Sequence, residues 1–293
     1  MKNENFKAYL AYFAICIVWG TTYLAIKIGV TDLPPFLFAG FRWLVIGPLF
    51  FLFLVLRKFA LPSWKDIKHL AVVGFFILGV GNGLVVFGEQ WLPSGLTSLL
   101  ITTLPFWIVG IESGVPSGPR LNSTIIFGLL VGLSGVGVIF SENITQIWKA
   151  DYFPGIVSLL IAMMSWGGGT VYSKYNKVSV HPLMGASIQM LVAGILQTSL
   201  GFSLGEWERF YFTTESFYAF IYLAFVGSVI GYGSYMYAVQ HLPISFVSTY
   251  TYINPVIALF LGWLVLEEAI NLQIIIGAVI IFAGVTLVRR GTK

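Results

Sequence analysis

Arg42 is the strongly charged side chain nearest the middle of an apolar stretch, lying within FRWLVIG and seven residues into the run 36–56. A guanidinium buried in hydrocarbon costs several kcal/mol, so it has to face a cavity or a partner. Its planar fork suits a solute carboxylate, which would make it a binding anchor. An ion pair, carbonyl contacts with a neighbouring helix, or snorkelling to an interface are the structural alternatives. Two lysines occupy related places, Lys27 in WGTTYLAIK and Lys174 in WGGGTVYSK. Each either closes one side of a solute path or snorkels to the interface. Helical spacing can aim a set of uncharged polar and aromatic residues inward. They are Trp19, Thr22, Asn82, Gln90, Thr97, Thr102, Trp107, Trp166, Gln189, Tyr232, Tyr235, Gln240, Tyr250 and Asn254. Such a lining favours small zwitterionic or aromatic solutes over bare ions.

The elements that must position these residues are membrane helices. Hydrophobic residues make up 57% of the 293 and charged residues 10%. The mean hydropathy is +0.88, far from the range of soluble domains. Apolar runs near the ~20 residues needed to cross a bilayer are expected at 8–27, 36–56, 67–88, 93–112, 123–141, 153–173, 183–203, 216–238, 243–266 and 272–288. Those ten runs predict an all-α membrane protein. The first is too long, and too closely followed by others, to be a cleaved signal peptide. The single Cys16 excludes a disulfide framework. A basic balance in such a chain reflects lipid topology rather than nucleic-acid binding.

The chain is one half written twice. At an offset of 147, Trp19, Gly20 and Lys27 match Trp166, Gly167 and Lys174, and Pro35, Ala39, Leu44 and Gly47 match Pro182, Ala186, Leu191 and Gly194. An offset of 150 pairs Gly81, Gly83, Gln90, Leu92, Pro93 and Pro105 with Gly231, Gly233, Gln240, Leu242, Pro243 and Pro255. Asn122, Gly128 and Gly135 pair with Asn271, Gly277 and Gly284 at 149. The repeats are placed at 8–141 and 153–289, five helices each. With the N-terminus inside, twelve loop Lys and Arg fall on the cytoplasmic side and two, Lys149 and Arg209, on the other. That is a strong positive-inside signal. Five helices per half then turn the second repeat upside down, the construction of many transporters.

Pro105 and Pro255 stand inside apolar runs. Each removes a backbone hydrogen bond and invites a kink, and matched kinks point either to a central, partly wet cavity or to plain packing. Trp-Gly at 19–20 and 166–167 marks a helix crossing or a wall of the path. Gly168 and Gly169 extend the second copy and make that helix pliable. Trp64, Trp148 and Trp207 suit an aromatic belt. His69, His181 and His241 stand at expected helix ends, in satisfied or solvated roles. No metal-ligand cluster, phosphate-cradling loop or nucleophile elbow is present, which argues against an enzyme, a metal and a cofactor.

Ten helices in two halves, WG in the first helix of each, AGFRW from Ala39 to Trp43, Pro105 and Pro255, and Glu267-Glu268 before the Gly277-to-Gly284 helix together resemble the drug/metabolite transporter superfamily, in its EamA-domain branch. The resemblance covers nearly the whole chain. The segment Glu112 to Arg120 departs from the acidic turn at Glu267 and Glu268 of the second half. Members of the family move amino acids, other metabolites, pigments or drugs, usually outward in bacteria. The resemblance implies a multi-pass secondary transporter of the bacterial inner membrane, working by alternating access on amino acids or related small metabolites. The alternative is a multidrug exporter of lipophilic cations, which would want a membrane carboxylate; Glu89 and Glu112 are the nearest acids, both near helix ends. A large-anion exchanger and a non-transport scaffold rank below these. The expected partners are a small-molecule solute and the lipid bilayer, with protons as a candidate coupling ion. No nucleic acid is expected, and the chain is expected as a monomer or weak dimer.

Overall fold

A computed structural model describes residues 2–116, 118–119, 122–141, 150–257 and 272–292. Among the described residues the chain is helical and contains no strand. In order, the elements are α1 (Lys2–Asp32), α2 (Pro35–Leu56), α3 (Trp64–Gly88), α4 (Ser94–Ile101), α5 (Leu104–Ser113), α6 (Ser123–Ile139), α7 (Phe153–Tyr175), α8 (Pro182–Ser203), α9 (Thr214–His241), α10 (Ile244–Val247), α11 (250–257) and α12 (Leu272–Gly291). Eight helical stretches are long and apolar enough to cross a membrane, and α6 is a shorter apolar helix. The expected run 243–266 continues beyond 257 into residues outside the described set, as do Trp148, Lys149, Glu267 and Glu268.

Helix starts follow from local chemistry. Ser63 accepts the Asp66 amide while the Asp66 carboxylate accepts the Ser63 amide, and Thr213 and Ser216 repeat that box at α9. Pro35, Pro154 and Pro182 stand in first turns, where a missing N–H costs nothing. The buried first-turn amides of α2, which have no partner within the helix, are taken by a distant acid. Glu206 accepts Phe36 N at 3.3 Å and Leu37 N at 2.8 Å.

Both third helices of the repeats are widened at matching positions. α3 is π-helical over Gly74–Asn82 and α9 over Leu223–Tyr232. A π turn frees carbonyls that hydrocarbon cannot satisfy, so side chains must. Gln197 Nε2 donates to Leu78 O and Gly79 O at 2.7 and 3.0 Å, and Ser165 Oγ to Phe76 O at 2.6 Å. In α9, Trp19 Nε1 donates to Gly227 O at 3.1 Å.

The kinks expected at the two prolines are displaced toward the N-terminus. Helix is interrupted at Thr102–Thr103, so Pro105 lies in the first turn of α5, and again at Ser248–Thr249, ahead of Pro255. Each proline crowds the carbonyl four residues earlier. The Thr and Ser hydroxyls then bond back to carbonyls three residues behind them: Thr103 to Leu100 at 2.8 Å and Thr249 to Phe246 at 2.7 Å. The GGG stretch, by contrast, runs inside an unbroken α7.

Glycines set the helix crossings. A Cβ on Gly284 would fall 2.4 Å from Gly132 N and 2.7 Å from Gly128 O, and one on Gly135 would lie 2.8 Å from Gly277 O. These contacts fasten α6 to α12 by backbone approach, as in other membrane helix pairs. Where α2 crosses α8, a Cβ on Gly194 would fall 2.8 Å from Leu44 N and one on Gly47 3.1 Å from Leu191 N. These four residues are two repeat-matched pairs exchanging partners, so a pseudo-two-fold axis passes through this crossing.

Candidate functional site

Two cavities lie at opposite ends of the same helices. The central cavity draws on α1 (Trp19, Thr22, Tyr23, Ile26), α2 (Arg42, Trp43), the later half of α3 (Leu78, Asn82, Val85) and α9 (Leu223, Gly227, Tyr232), with Ile101, Met163, Trp166 and Tyr250. The second, a vestibule, is built from the opposite ends of these rods: His69, Leu70 and Val73 of α3, Ser173 of α7, Met236, Gln240 and His241 of α9. Lys177, Pro182, Gly185 and Gln189 close its remaining side.

Seven of the expected path residues share the central cavity: Trp19, Thr22, Arg42, Asn82, Trp166, Tyr232 and Tyr250. Gln189 and Gln240 are in the vestibule wall instead, where Gln240 Nε2 donates to Ser173 O and Oγ at 3.1 and 3.0 Å. Tyr235 lies behind the cavity wall, its hydroxyl accepting Trp166 Nε1 at 3.0 Å and pairing with Thr170 Oγ1 at 2.6 Å. The remaining four lie elsewhere. Gln90 is exposed and bonds Phe87 O at 3.0 Å. Thr102 returns its hydroxyl to Leu99 O. Trp107 packs its Cβ against Gly167. Asn254 is buried, and with its amide turned so that the nitrogen faces Cys16 O and Tyr250 O it donates to both at 3.0 Å, tying α11 to α1. Thr97 is likewise buried, with no hydrogen-bond partner for its hydroxyl and outside both walls.

The cavity floor is aromatic. The Trp19 ring lies 5.5 Å from Trp166, 5.2 Å from Tyr235 and 5.1 Å from Tyr250. Edge and tilted contacts at these spacings are the favourable arrangements for aromatic pairs. The Trp-Gly pairs serve both readings at once. Each Trp faces the cavity while Gly20 lets α1 approach Asn254 O and Ile257.

Arg42 is 3% exposed. Its Nη2 donates to Asn82 Oδ1 at 2.7 Å, and the guanidinium carbon sits 4.2 Å from the Trp43 ring centre. Among the described residues no carboxylate pairs with it. Among the described residues its Nε has no hydrogen-bond partner, nor has the indole Nε1 of Trp43. Two of the cavity-lining residues therefore each carry a buried N–H donor without an acceptor.

Lys27 and Lys174 are cap residues with matched partners. Lys27 Nζ donates to Glu89 O at 2.6 Å and Leu92 O at 3.2 Å, closing the C-terminal end of α3. Lys174 Nζ donates to Val239 O and Leu242 O, both at 2.9 Å, closing α9. The acceptors are again repeat mates. Both caps are formed together in this structure, satisfying carbonyls at helix ends and complementing the helix dipoles. Glu89 itself is fully buried with neither carboxylate oxygen bonded. Burial pushes its carboxyl well above the usual range, and the charge of Lys27 draws it partly back. Beyond the membrane segments, His181 caps α8 by accepting Leu183 N at 3.3 Å, and burial, His241 and Lys7 together hold its imidazole below the usual value.

The EamA-like transporter family model covers residues 6–141 and 153–290. The chain belongs to the EamA-like transporter family. It is 34% identical over 255 residues to the uncharacterized inner membrane transporter YedA of Escherichia coli (strain K12), covering 86% of this chain and 80% of that one. It is 29% identical over 290 residues to the uncharacterized transporter YoaV of Bacillus subtilis (strain 168), with 95% of each chain covered. A solved crystal structure superposes with a TM-score of 0.79 at 18% identity over 98% of both chains, a likeness of fold. This EamA protein is a multi-pass transporter of the bacterial inner membrane.

Trp43 and Tyr23 are cavity residues that sequence reasoning passed over. Trp43 stands beside Arg42 and its repeat mate is Met190, so repeat matching gave no reason to select it. Adjacency to a charge at depth was the signal available.

Proposed function

We propose that this transporter exports amino acids or related small carboxylate-bearing metabolites by alternating access, with both termini cytoplasmic and Arg42 as the carboxylate anchor. The observation that carries this reading is the pair of unpartnered donors, Arg42 Nε and Trp43 Nε1, in the wall of the central cavity. A carboxylate brings the acceptors those groups lack, and a charge-assisted contact repays desolvation better than a neutral one. Asn82 and the Trp43 ring hold the fork in place. The aromatic floor offers surface to an apolar or aromatic side chain. Among the described residues no Asp or Glu lines the cavity, which weighs against lipophilic cations as the principal solutes. Protons remain a candidate coupling ion, with Glu89 as the buried carboxyl nearest the end of α3.

The test is flux of a labelled amino-acid panel in proteoliposomes, with and without an imposed proton gradient. Saturable flux of carboxylate-bearing solutes, inhibited by their amino-acid analogues and not by lipophilic cations, is expected. Flux confined to lipophilic cations would transfer the protein to the multidrug reading.

A further inference from the structure

Two polar pairs occupy matching places in the two halves. Arg42 of α2 bonds Asn82 of α3 at 2.7 Å, and Tyr232 OH of α9 donates to Gln189 Oε1 of α8 at 2.6 Å. Residues 42 and 189 are repeat mates, and so are 82 and 232. Asn82 and Tyr232 are each the last residue of a π segment. The widened turn therefore delivers a polar side chain to the neighbouring second helix in both halves.

The two pairs differ in what they separate. Arg42 and Asn82 both belong to the wall of the central cavity. Tyr232 belongs to that wall too, but Gln189 belongs to the wall of the vestibule. The Tyr232–Gln189 bond thus crosses the divide between the two spaces, and its residues are 0% and 1% exposed. Lys177, His69 and His241 line the vestibule, and among the described residues no Asp or Glu does. The His241 Nδ1 donates to Tyr237 O at 2.7 Å, and His69 Nδ1 pairs with the Tyr172 hydroxyl at 2.7 Å, so each ring keeps its Nε2 clear of those bonds. The exposed Lys177 side chain stands at the rim.

We propose that the vestibule is a second solute site, receiving the carboxylate end of a solute from the cytoplasm, and that the Tyr232–Gln189 hydrogen bond is the partition through which the solute passes to Arg42. The choice of a carboxylate and of the cytoplasmic side rests on the function proposed above; the partition itself does not. A hydrogen bond between two buried neutral groups suits a partition. It is satisfied when shut, and its net worth is small enough to be exchanged for bonds to a passing polar solute. Gln189 can then turn its amide to the solute on one side while Tyr232 does so on the other.

The partition is tested without knowledge of the solute. In a Cys16→Ala background, Thr22→Cys places a thiol in the central cavity wall. Its labelling by a membrane-impermeant methanethiosulfonate is measured separately from each face, in right-side-out and inside-out vesicles. Tyr232→Phe should raise the labelling rate from the vestibule face about fivefold, the shift that one neutral hydrogen bond supplies. Gln189→Met should do the same, and the double variant should show no further increase, because the two residues act as one unit. Unchanged rates in both single variants would overturn the partition, whatever is transported. The site is tested by Lys177→Gln, which should raise the half-saturating concentration for carboxylate solutes about two- to fivefold with little change in maximal rate. An unchanged value would overturn the entry site. Absence of any carboxylate flux in the wild type would instead reject the proposed substrate class while leaving the labelling result standing.

Discussion

Replacing Arg42 by Gln removes the charge at the centre of the proposed anchor and leaves an amide of similar breadth. Gln is already the residue at the matching position of the other half, 189, so the helix pair tolerates it. The structure fixes what is lost. The bond from Nη2 to Asn82 at 2.7 Å weakens, the cation 4.2 Å over Trp43 disappears, and the unpartnered Nε goes with it. The last change relieves a buried donor, so folding should not suffer. A contact between guanidinium and carboxylate is worth about 1.5–3 kcal/mol, which corresponds to roughly ten- to a hundredfold in transport efficiency. Arg42→Lys should recover only part of it, because an ammonium lacks the planar fork. The assay is proteoliposome flux for a solute panel, scored beside membrane abundance for each variant. A purely structural Arg42 gives the reverse pattern: lost abundance with Gln and no preference among solutes in the remainder. Unchanged transport of every carboxylate solute by Arg42→Gln would refute the anchor.

Removing the matched caps should affect both repeats alike: Lys27→Met or Lys174→Met unties two carbonyls each, and a loss of about 1–3 kcal/mol is expected in detergent thermal-unfolding assays. His181 supplies a pH dependence. Its imidazole is held below its ordinary value of 6.5 when folded, so the unfolded chain binds the extra proton first. Its contribution is whole above pH 6.5 and declines as pH falls below that; melting temperatures from pH 7.5 to 5.5 should drop less in His181→Asn, which retains a capping acceptor that does not titrate. Gly284→Ala drives a Cβ to 2.4 Å from backbone at Gly132 and should cost about 1–3 kcal/mol. Gly137→Ala in the same helix pair meets nothing within 4 Å and should be neutral or stabilising by up to about 1 kcal/mol. Cysteines at Ser63 and Ser179 should label from one membrane face and one at Thr213 from the other; labelling of all three from one face would overturn the inverted orientation.

Hydropathy made the helices legible because hydrocarbon forces every crossing backbone into the same solution. The repeat was legible because identical glycines and prolines recur at near-constant offsets. What periodicity could not carry was local irregularity. The π segments ending at Asn82 and Tyr232 have no pattern beyond the flanking glycines of GNG and GYG, since widening a turn depends on outside donors such as Gln197 and Trp19. The same limit shifted the kinks. A proline marks that a helix is stressed, while the site of the break was chosen by Thr102, Thr103, Ser248 and Thr249, whose hydroxyls offer the backbone another partner. At the site, position along a helix placed Arg42 and Trp19 correctly at the cavity. It misplaced Gln90 and Asn254, because the rotation of a helix about its own axis depends on neighbours brought near by the chain's distant half.

A doubled half gives each conformation a mirror in the other repeat, and the backbone devices here are matched closely. Lysine caps and glycine crossings recur with repeat-related partners, and the π segments recur at matching positions, so a tilt of one half against the other would exchange equivalent contacts at little net cost. The side chains at the two polar pairs are not matched. One couples a guanidinium to an amide, the other a phenol to an amide. A rocking bundle built only from the matched devices would have no preferred partner for a charged solute on either face. On the proposed function the unequal pairs would supply that preference. The cation at 42 would give a carboxylate its strongest contact in the central cavity, and the neutral pair at 189 and 232 would oppose its passage by about one hydrogen bond. Symmetry in the frame would then keep the motion inexpensive, while asymmetry in four side chains would decide what moves through it. The corresponding swap, Gln189→Arg with Arg42→Gln, should carry the carboxylate dependence to the other end of the bundle: labelled-solute protection of a cavity cysteine should be lost and protection at the vestibule strengthened. Protection retained in the cavity would show that Arg42 was not its source.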